Sequence, residues 1–204
     1  MKIIAHRGND NVHKENTKEA ILNSLNTSYI DGVEFDIRLT KDGKFIINHD
    51  PFYHNYYIKS TNSKKLQKLG LNTLEEVLEE IKNDKILLIE VKEDGKSIKK
   101  TAKYLYNVLC KYNLNIYLCS FNYEFLNYFY KKYKNIKCGL IVGTKINKNH
   151  IINNFEFNSV SFKYKGKIPN KETFFWTVNH PKEIINKNEN IITDKAKAIY
   201  EYLE

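Results

Sequence analysis

Three carboxylates, two histidines and two cations fall where short β-rich runs end. Glu34 and Asp36 lie two positions apart in the run Gly32–Asp36. Alternate residues of a strand share a face, so both carboxylates point one way and Phe35 the other. Glu90 and Lys92 form a second such pair after the apolar run Ile86-Leu87-Leu88-Ile89, and His6-Arg7 closes the run that starts at Lys2. A lone Glu-x-Asp is ordinarily a solvated or salt-bridged surface pair. Glu34, Asp36 and Glu90 gathered at strand ends repel one another unless neutralised, and a hard divalent cation with oxygen ligands, Mg²⁺ or Ca²⁺, is the natural partner. His6 and His49 can titrate near neutral pH, which suits them to general acid and base work. Arg7 offers a bidentate fork and Lys92 a point charge, a pairing that can hold a phosphate. A metal, two cations and an acid/base pair make a site for opening a phosphodiester. His13, His54, His150 and His180 read as structural.

These residues need elements to bring them together. Strand-like runs occur at Lys2–His6, Gly32–Asp36, Lys85–Lys92, Ile116–Ser120, Ile136–Val142, Asn158–Phe162, Phe174–Val178 and Asn190–Thr193. Helical patterns fill the gaps at Thr17–Tyr29, Thr73–Lys82, Lys96–Lys111, Tyr123–Tyr133, Asn147–Asn154, Pro181–Asn188 and Lys195–Leu203. The gap Lys163–Thr173 is too short for a helix of ordinary length. Eight strands alternating with helices predict an α/β chain folded as a compact (β/α)8 TIM barrel, a single domain over residues 1–204. Active sites of that architecture lie at the carboxyl ends of the strands, where His6, Glu34, Asp36 and Glu90 would meet. A doubly wound open sheet is the alternative, but His6-Arg7-Gly8-Asn9 after the first strand is no Gly-rich phosphate loop.

One segment breaks the alternation. GVEFDIRLTKDGKFIINHD, Gly32 to Asp50, holds two β-rich runs joined by Lys41-Asp42-Gly43, and Asp-Gly between such runs signals a hairpin. Folding about that turn pairs Ile37 with Ile47 and returns His49 to the level of Glu34 and Asp36. A short insertion follows, at about residues 50–72. The Tyr-rich runs Tyr53–Tyr57 and Tyr128–Tyr133 read as packing or cap surface.

Composition narrows the class. Of 204 residues 42% are hydrophobic and 13% aromatic, too many for a disordered chain. No apolar stretch approaches the roughly 20 residues that span a bilayer. A secretory leader is not expected, because Met1–Ala5 runs directly into His6-Arg7. Cys110, Cys119 and Cys138 form no CxxC pair; their odd count and apolar flanks predict core thiols in a reducing, cytoplasmic compartment. The net charge is +9, and only Arg7 and Arg38 are arginines, the other cations being lysines. Where this composition keeps arginine, the fork is the reason to look for. The basic balance is a weak pointer to nucleic acid and equally suits an anionic phosphate substrate.

The same residues resemble the glycerophosphodiester phosphodiesterase family of phospholipase-C-like TIM-barrel phosphodiesterases. The matching text is His6-Arg7-Gly8, Glu15-Asn16-Thr17, the block from Gly32 to Asp50, Leu74-Glu75-Glu76-Val77-Leu78 and Ile89-Glu90-Val91-Lys92, followed by Ser120-Phe121, Trp176-Thr177-Val178-Asn179 and Ile191-Ile192-Thr193-Asp194. The matches run in family order along nearly the whole chain. The resemblance implies a metal site at Glu34, Asp36 and Glu90, His6 and His49 as the acid/base pair, and Arg7 and Lys92 on the phosphate. It adds Glu15 in a supporting role and Trp176 on the substrate side of the mouth. The implied reaction cleaves a small-molecule glycerophosphodiester to an alcohol and sn-glycerol 3-phosphate. Two departures stand out. Phe52-Tyr53-His54-Asn55-Tyr56-Tyr57 replaces a stretch usually rich in Arg and Thr, and Lys14 stands where proline is usual. A rival on the same barrel is a lysophospholipid or sphingomyelin phosphodiesterase with an apolar entrance at Phe52–Tyr57. A catalytically silent, basic nucleic-acid-binding module would leave the carboxylates and histidines unexplained, so no nucleic-acid partner is expected.

Overall fold

The structure, a computed structural model, describes residues 1–9, 11–93, 97–145, 154–184 and 189–204. Its strands are β1 (Ile3–Ala5), β2 (Gly32–Leu39), β3 (Phe45–Ile47), β4 (Phe52–Tyr53), β5 (Tyr56–Tyr57), β6 (Ile86–Val91), β7 (Ile116–Ser120), β8 (Lys137–Val142), β9 (Phe157–Ser161), β10 (Glu172–Trp176) and β11 (Asn190–Thr193). β1, β2 and β6 to β11 run parallel in the order β1-β11-β10-β9-β8-β7-β6-β2, and β1 pairs β2 to close the circle. All eight expected strands are present, and the fold is a closed (β/α)8 barrel.

Strand alternation sorts the apolar side chains into two layers. Ile4, Leu88, Tyr117, Phe157, Phe174 and Ile192 form one buried cluster, the barrel interior. Val33, Phe35, Leu87, Ile89 and Leu118 belong to the other, beneath the helices. Gly139 serves the interior: a Cβ there would stand 2.3 Å from the Phe157 ring, so glycine is what lets that ring cross the barrel. At the amino-terminal end the barrel is closed by polar groups. Glu172 accepts from Lys2 Nζ at 2.6 Å and from Tyr117 Oη at 3.0 Å, and Lys137 Nζ donates to Tyr117 Oη at 2.8 Å.

The helices are α1 (Lys18–Asn26), α2 (Ser63–Lys68), α3 (Leu74–Leu78), α4 (Ile98–Leu109), α5 (Tyr123–Lys132) and α6 (Ala196–Leu203). Their starts carry legible caps: Thr17 Oγ1 accepts from Ala20 N, Thr73 and Glu76 form a capping box, and Asn122 Oδ1 accepts from Phe125 N. Two helices end earlier than their patterns, at Asn26 and Leu78, because the chain must turn back to enter β2 and β6. Pro181–Glu183 is a single 3₁₀ turn. The pattern Asn147–Asn154, apart from its last residue, and the end of Pro181–Asn188 lie outside the described residues. No helix forms between β9 and β10, as the short gap implied.

β2 outruns the barrel and pairs antiparallel with β3, Ile37 opposite Ile47 as the Asp-Gly turn predicts. The insertion then adds what the sequence reading lacked: a two-residue hairpin of β4 and β5, and the short helix α2. These bury Ile46, Ile58, Leu66 and Leu71 together, and Asp42 in the turn accepts from both Ser63 N and Ser63 Oγ at the start of α2. Cys119 and Cys138 are buried as expected, but Cys110 is exposed. Val108 and Leu109 face the core, and the helix ends at Cys110, which the 3.6-residue period turns outward.

Gly139→Ala is expected to destabilise the protein by about 1–3 kcal/mol, the usual range for overpacking a filled core. Urea denaturation checks this, and Phe157→Leu in the same chain should recover part of the loss. Equal stability of Gly139→Ala and the parent would contradict the packing described.

Candidate active site

At the carboxyl ends of the strands a cavity of about 250 Å³ opens, lined by His6, Arg7, Glu34, Asp36, His49, Glu90, Lys92 and Trp176, with Cys119, Phe121, Ile141, Ser159, Thr177 and Ile192 completing its wall. Every residue singled out from the sequence is in that wall except Glu15, which sits behind it and accepts from Arg7 Nη1 at 2.7 Å.

The first strand delivers two of them through a tight turn. His6–Gly8 form a 3₁₀ turn in which Arg7 takes φ 53° and Gly8 φ 66°. At Gly8 a Cβ would stand 2.9 Å from Ile21, so glycine is needed there for both angle and space. The turn aims Arg7 N at Glu34 Oε2, 3.0 Å away. His6 Nδ1 donates to Asp194 Oδ1 at 2.7 Å, which leaves Nε2 facing Glu34 Oε2 at 3.9 Å. Asp194 is itself fixed. Its Oδ2 accepts from Asn179 Nδ2 at 2.8 Å, while Asn179 Oδ1 accepts from Asp194 N at 2.8 Å and Thr193 Oγ1 at 3.1 Å.

The second and sixth strands deliver the carboxylates. Asp36 pairs with Glu90 across the β2–β6 register, with Glu34 one inward-facing position below. The three offer oxygens within 4.8 Å of one another, and all three side chains are buried. Asn16 grips Asp36 twice, its Nδ2 donating to Oδ2 at 2.8 Å and its Oδ1 accepting from Asp36 N at 3.1 Å. Lys92 Nζ bridges Asp36 Oδ1 at 3.0 Å and Glu90 Oε1 at 2.6 Å, and Arg7 Nε lies 3.5 Å from Asp36 Oδ2.

Electrostatics follow from this crowding. Burial, reinforced by the Asp36 charge, pushes Glu34 up to about 8 and Glu90 up to about 7. Burial acts the same way on Asp36, but the Lys92 charge and the Asn16 hydrogen bond outweigh it and hold that carboxyl below its ordinary value. Burial opposes charge on His6, yet the Asp194 hydrogen bond and the Glu34 charge raise its pKa. Glu90 thus shares the single charge of Lys92 with Asp36, and Glu34 has only His6 Nε2, 3.9 Å away. A compact set of buried oxygen donors with surplus negative charge fits a hard divalent ion.

Elsewhere in the wall Phe121 meets Trp176 edge to face, ring centroids 5.8 Å apart, and Trp176 Nε1 is buried without a hydrogen-bond partner. Asp194, Asn179 and Asn16 were not singled out from the sequence. Thr193-Asp194 ends a strand as His6-Arg7 does, a signal that could have found Asp194. Asn16, Asn179 and Asp194 all lie inside matching runs, Glu15-Asn16-Thr17, Trp176-Thr177-Val178-Asn179 and Ile191-Ile192-Thr193-Asp194, but those runs assign them no role.

In chelator-treated protein at pH 8, Glu34→Gln is expected to raise Tm, because it removes a buried charge that only a cation would offset. Added Mg²⁺ or Ca²⁺ should stabilise the parent and not the variant. A lower Tm in the variant without metal would show that Glu34 is already satisfied.

Comparison with known proteins supplies the family and the fold. The model of the glycerophosphoryl diester phosphodiesterase family matches residues 6–197. An uncharacterized protein of Mycoplasma genitalium is 30% identical over 167 residues, 70% of this chain and 68% of its own length. A glycerophosphodiester phosphodiesterase of Caldanaerobacter subterraneus is 28% identical over 160 residues, 68% of this chain and 65% of its own. Among solved structures, an Oleispira antarctica phosphodiesterase in complex with the product sn-glycerol-3-phosphate superposes with a TM-score of 0.85 at 20% identity, covering 100% of this chain and 96% of that one. With a family match across almost its full length, this chain belongs to the glycerophosphoryl diester phosphodiesterase family.

Proposed function

We propose that this protein hydrolyses glycerophosphodiesters to an alcohol and sn-glycerol 3-phosphate, using a divalent cation, Mg²⁺ or Ca²⁺, held by Glu34, Asp36 and Glu90. The observation that carries the reading is the convergence of those carboxylates, both histidines, Arg7 and Lys92 on one cavity of about 250 Å³. That volume suits a small polar diester better than a macromolecule. The buried free thiols Cys119 and Cys138 support the reducing, cytoplasmic setting read from the sequence. Among the described residues no helix is long and apolar enough to cross a membrane.

When bound, the cation supplies charge for a non-bridging phosphate oxygen. Arg7 and Lys92 lie beside the carboxylates and can bind the remaining phosphate oxygens, one by a fork and one as a point charge. His6 and His49 divide the two proton transfers, one from the attacking hydroxyl or water and one to the departing alkoxide. Asp194 holds the proton on His6 Nδ1, so Nε2 is the nitrogen available to the reaction. Trp176 and Phe121 supply an apolar part of the wall next to Lys92, whose Nζ lies 6.0 Å from the Phe121 ring centroid. Glu15 restrains Arg7 from behind through their 2.7 Å ion pair.

A second reading keeps the barrel and changes the alcohol. Phe52 is 57% exposed and packs at a tilt against Tyr57, ring centroids 5.1 Å apart, and Phe121 in the cavity wall is 50% exposed. This is exposed apolar surface on which a lysophospholipid or sphingomyelin chain could lie.

Enzyme-coupled detection of glycerol 3-phosphate from glycerophosphocholine and glycerophosphoethanolamine tests the first reading. Release is expected with Mg²⁺ or Ca²⁺ and lost with excess chelator. His6→Ala and His49→Ala should each lower kcat by about 10²–10⁴-fold, the scale of one general acid/base step, with unchanged circular dichroism. Full rates in chelator would reject the metal, near-normal rates in either variant would reject its histidine, and cleavage of lysolipid alone would favour the second reading.

A further inference from the structure

Arg38 is the second of the two arginines in a chain whose other cations are lysines, and unlike Arg7 it is outside the cavity wall. It shares the face of Asp36, two positions on, where β2 has already left the barrel and pairs with β3. Its Nε and Nη2 both donate to one acceptor, the carbonyl oxygen of His49, at 2.8 and 2.5 Å. The guanidinium is half-buried, and burial holds its pKa below the ordinary arginine value despite the carboxylates of Asp36, Asp50 and Glu90 nearby. A buried fork is usually matched to a carboxylate or phosphate. Here it is set on a neutral backbone carbonyl, and that carbonyl belongs to His49.

The neighbouring bonds show why this contact matters. Past β3, Asn48 N donates to Asp36 O at 3.1 Å. The other bonds of the segment stay within it: Asn48 Nδ2 to Asp50 O at 2.7 Å, and His49 Nδ1 to Asp50 Oδ1 at 2.8 Å. Asp50 has a 75% exposed side chain, so it can orient the His49 ring but cannot anchor it to the barrel. Arg38 ties His49 itself to β2. Two donors in one rigid plane fix the position and direction of the carbonyl, whereas a lysine ammonium would give a single swivelling bond.

We propose that Arg38 is a positioning residue for His49: its fork holds the His49 backbone to the strand that carries Glu34 and Asp36, which keeps the imidazole in reach of the cavity. This rests on the acid/base role given to His49 under the proposed function. Arg38 is outside the cavity wall, and its part in the reaction is played through His49.

Steady-state kinetics of Arg38→Lys and Arg38→Ala on a diester that the parent cleaves test it. Displacing a reacting group by about 1 Å can cost about 10²-fold, so kcat should fall by about that factor in both variants, with KM changed by less than about threefold. Guanidinium added to Arg38→Ala should restore part of kcat, and ammonium should not. Arg38→Lys combined with His49→Ala should be no slower than His49→Ala alone, because one group acts through the other. A hairpin-stabilising role alone would instead lower Tm, leave kcat of the folded variants intact and show no guanidinium rescue; additive losses in the double variant would equally overturn the proposal. Histidine ¹³C–¹H NMR separates this from the reaction. The ring signals of His49, assigned with His49→Gln, should move or broaden in Arg38→Lys while those of His6 hold. If the parent cleaved no diester, the functional reading would fail, and the NMR comparison would still decide the role of Arg38: unchanged His49 signals would refute it.

Discussion

Three carboxylates buried within 4.8 Å of one another are the constraint on which the rest of this structure turns. Water is the cheapest partner for a carboxylate, and the barrel mouth denies it to Glu34, Asp36 and Glu90. Lys92, Arg7 and the two-fold grip of Asn16 settle the account for Asp36. They leave Glu34 and Glu90 with burial outweighing their partners, which is why both are raised to near or above neutral pH. Such an arrangement persists only where the surrounding fold over-determines it.

The over-determination lies in two strand registers. In the β2–β6 ladder Asp36 stands opposite Glu90 and Phe35 opposite Ile89. A slip by one residue would send the carboxylates under the helices and Phe35 into the cavity, and the apolar runs on both strands forbid it. The closing ladder does the same for the other half of the site. Ala5 stands opposite Thr193, so the next residues, His6 and Asp194, meet at 2.7 Å across a sequence separation of 188. Arg7 and Gly8 can bend away only because β1 gives way to a tight turn, and that bend puts Arg7 N on Glu34. Each contact of the site thus depends on the barrel closing in one register.

This also explains what could be read from the sequence. A period of two is local, so Glu34 with Asp36 and Glu90 with Lys92 were legible as same-face pairs, and the Asp-Gly turn placed Ile37 against Ile47. The eight strands are legible as short β-rich runs alternating with helical patterns. What escaped depends on closure or on neighbours far along the chain. Asp194 matters only once β11 lies beside β1, and Asn16 only once the loop before α1 folds over Asp36. Helix α2 is only six residues, too short to show a helical period or to be stable alone, and is held by Asp42 and by burial of Leu66. Cys110 was misjudged because apolar neighbours in sequence say nothing of the direction a residue faces at a helix end.

The account stands on the claim that Glu34, Asp36 and Glu90 together hold one divalent cation. Calorimetric titration of Mg²⁺ and of Ca²⁺ into chelator-treated protein tests that claim without reference to turnover. The account predicts one site per chain for at least one of these ions, lost in Asp36→Asn and in Glu90→Gln. No binding of either ion, or binding that survives both substitutions, would contradict it.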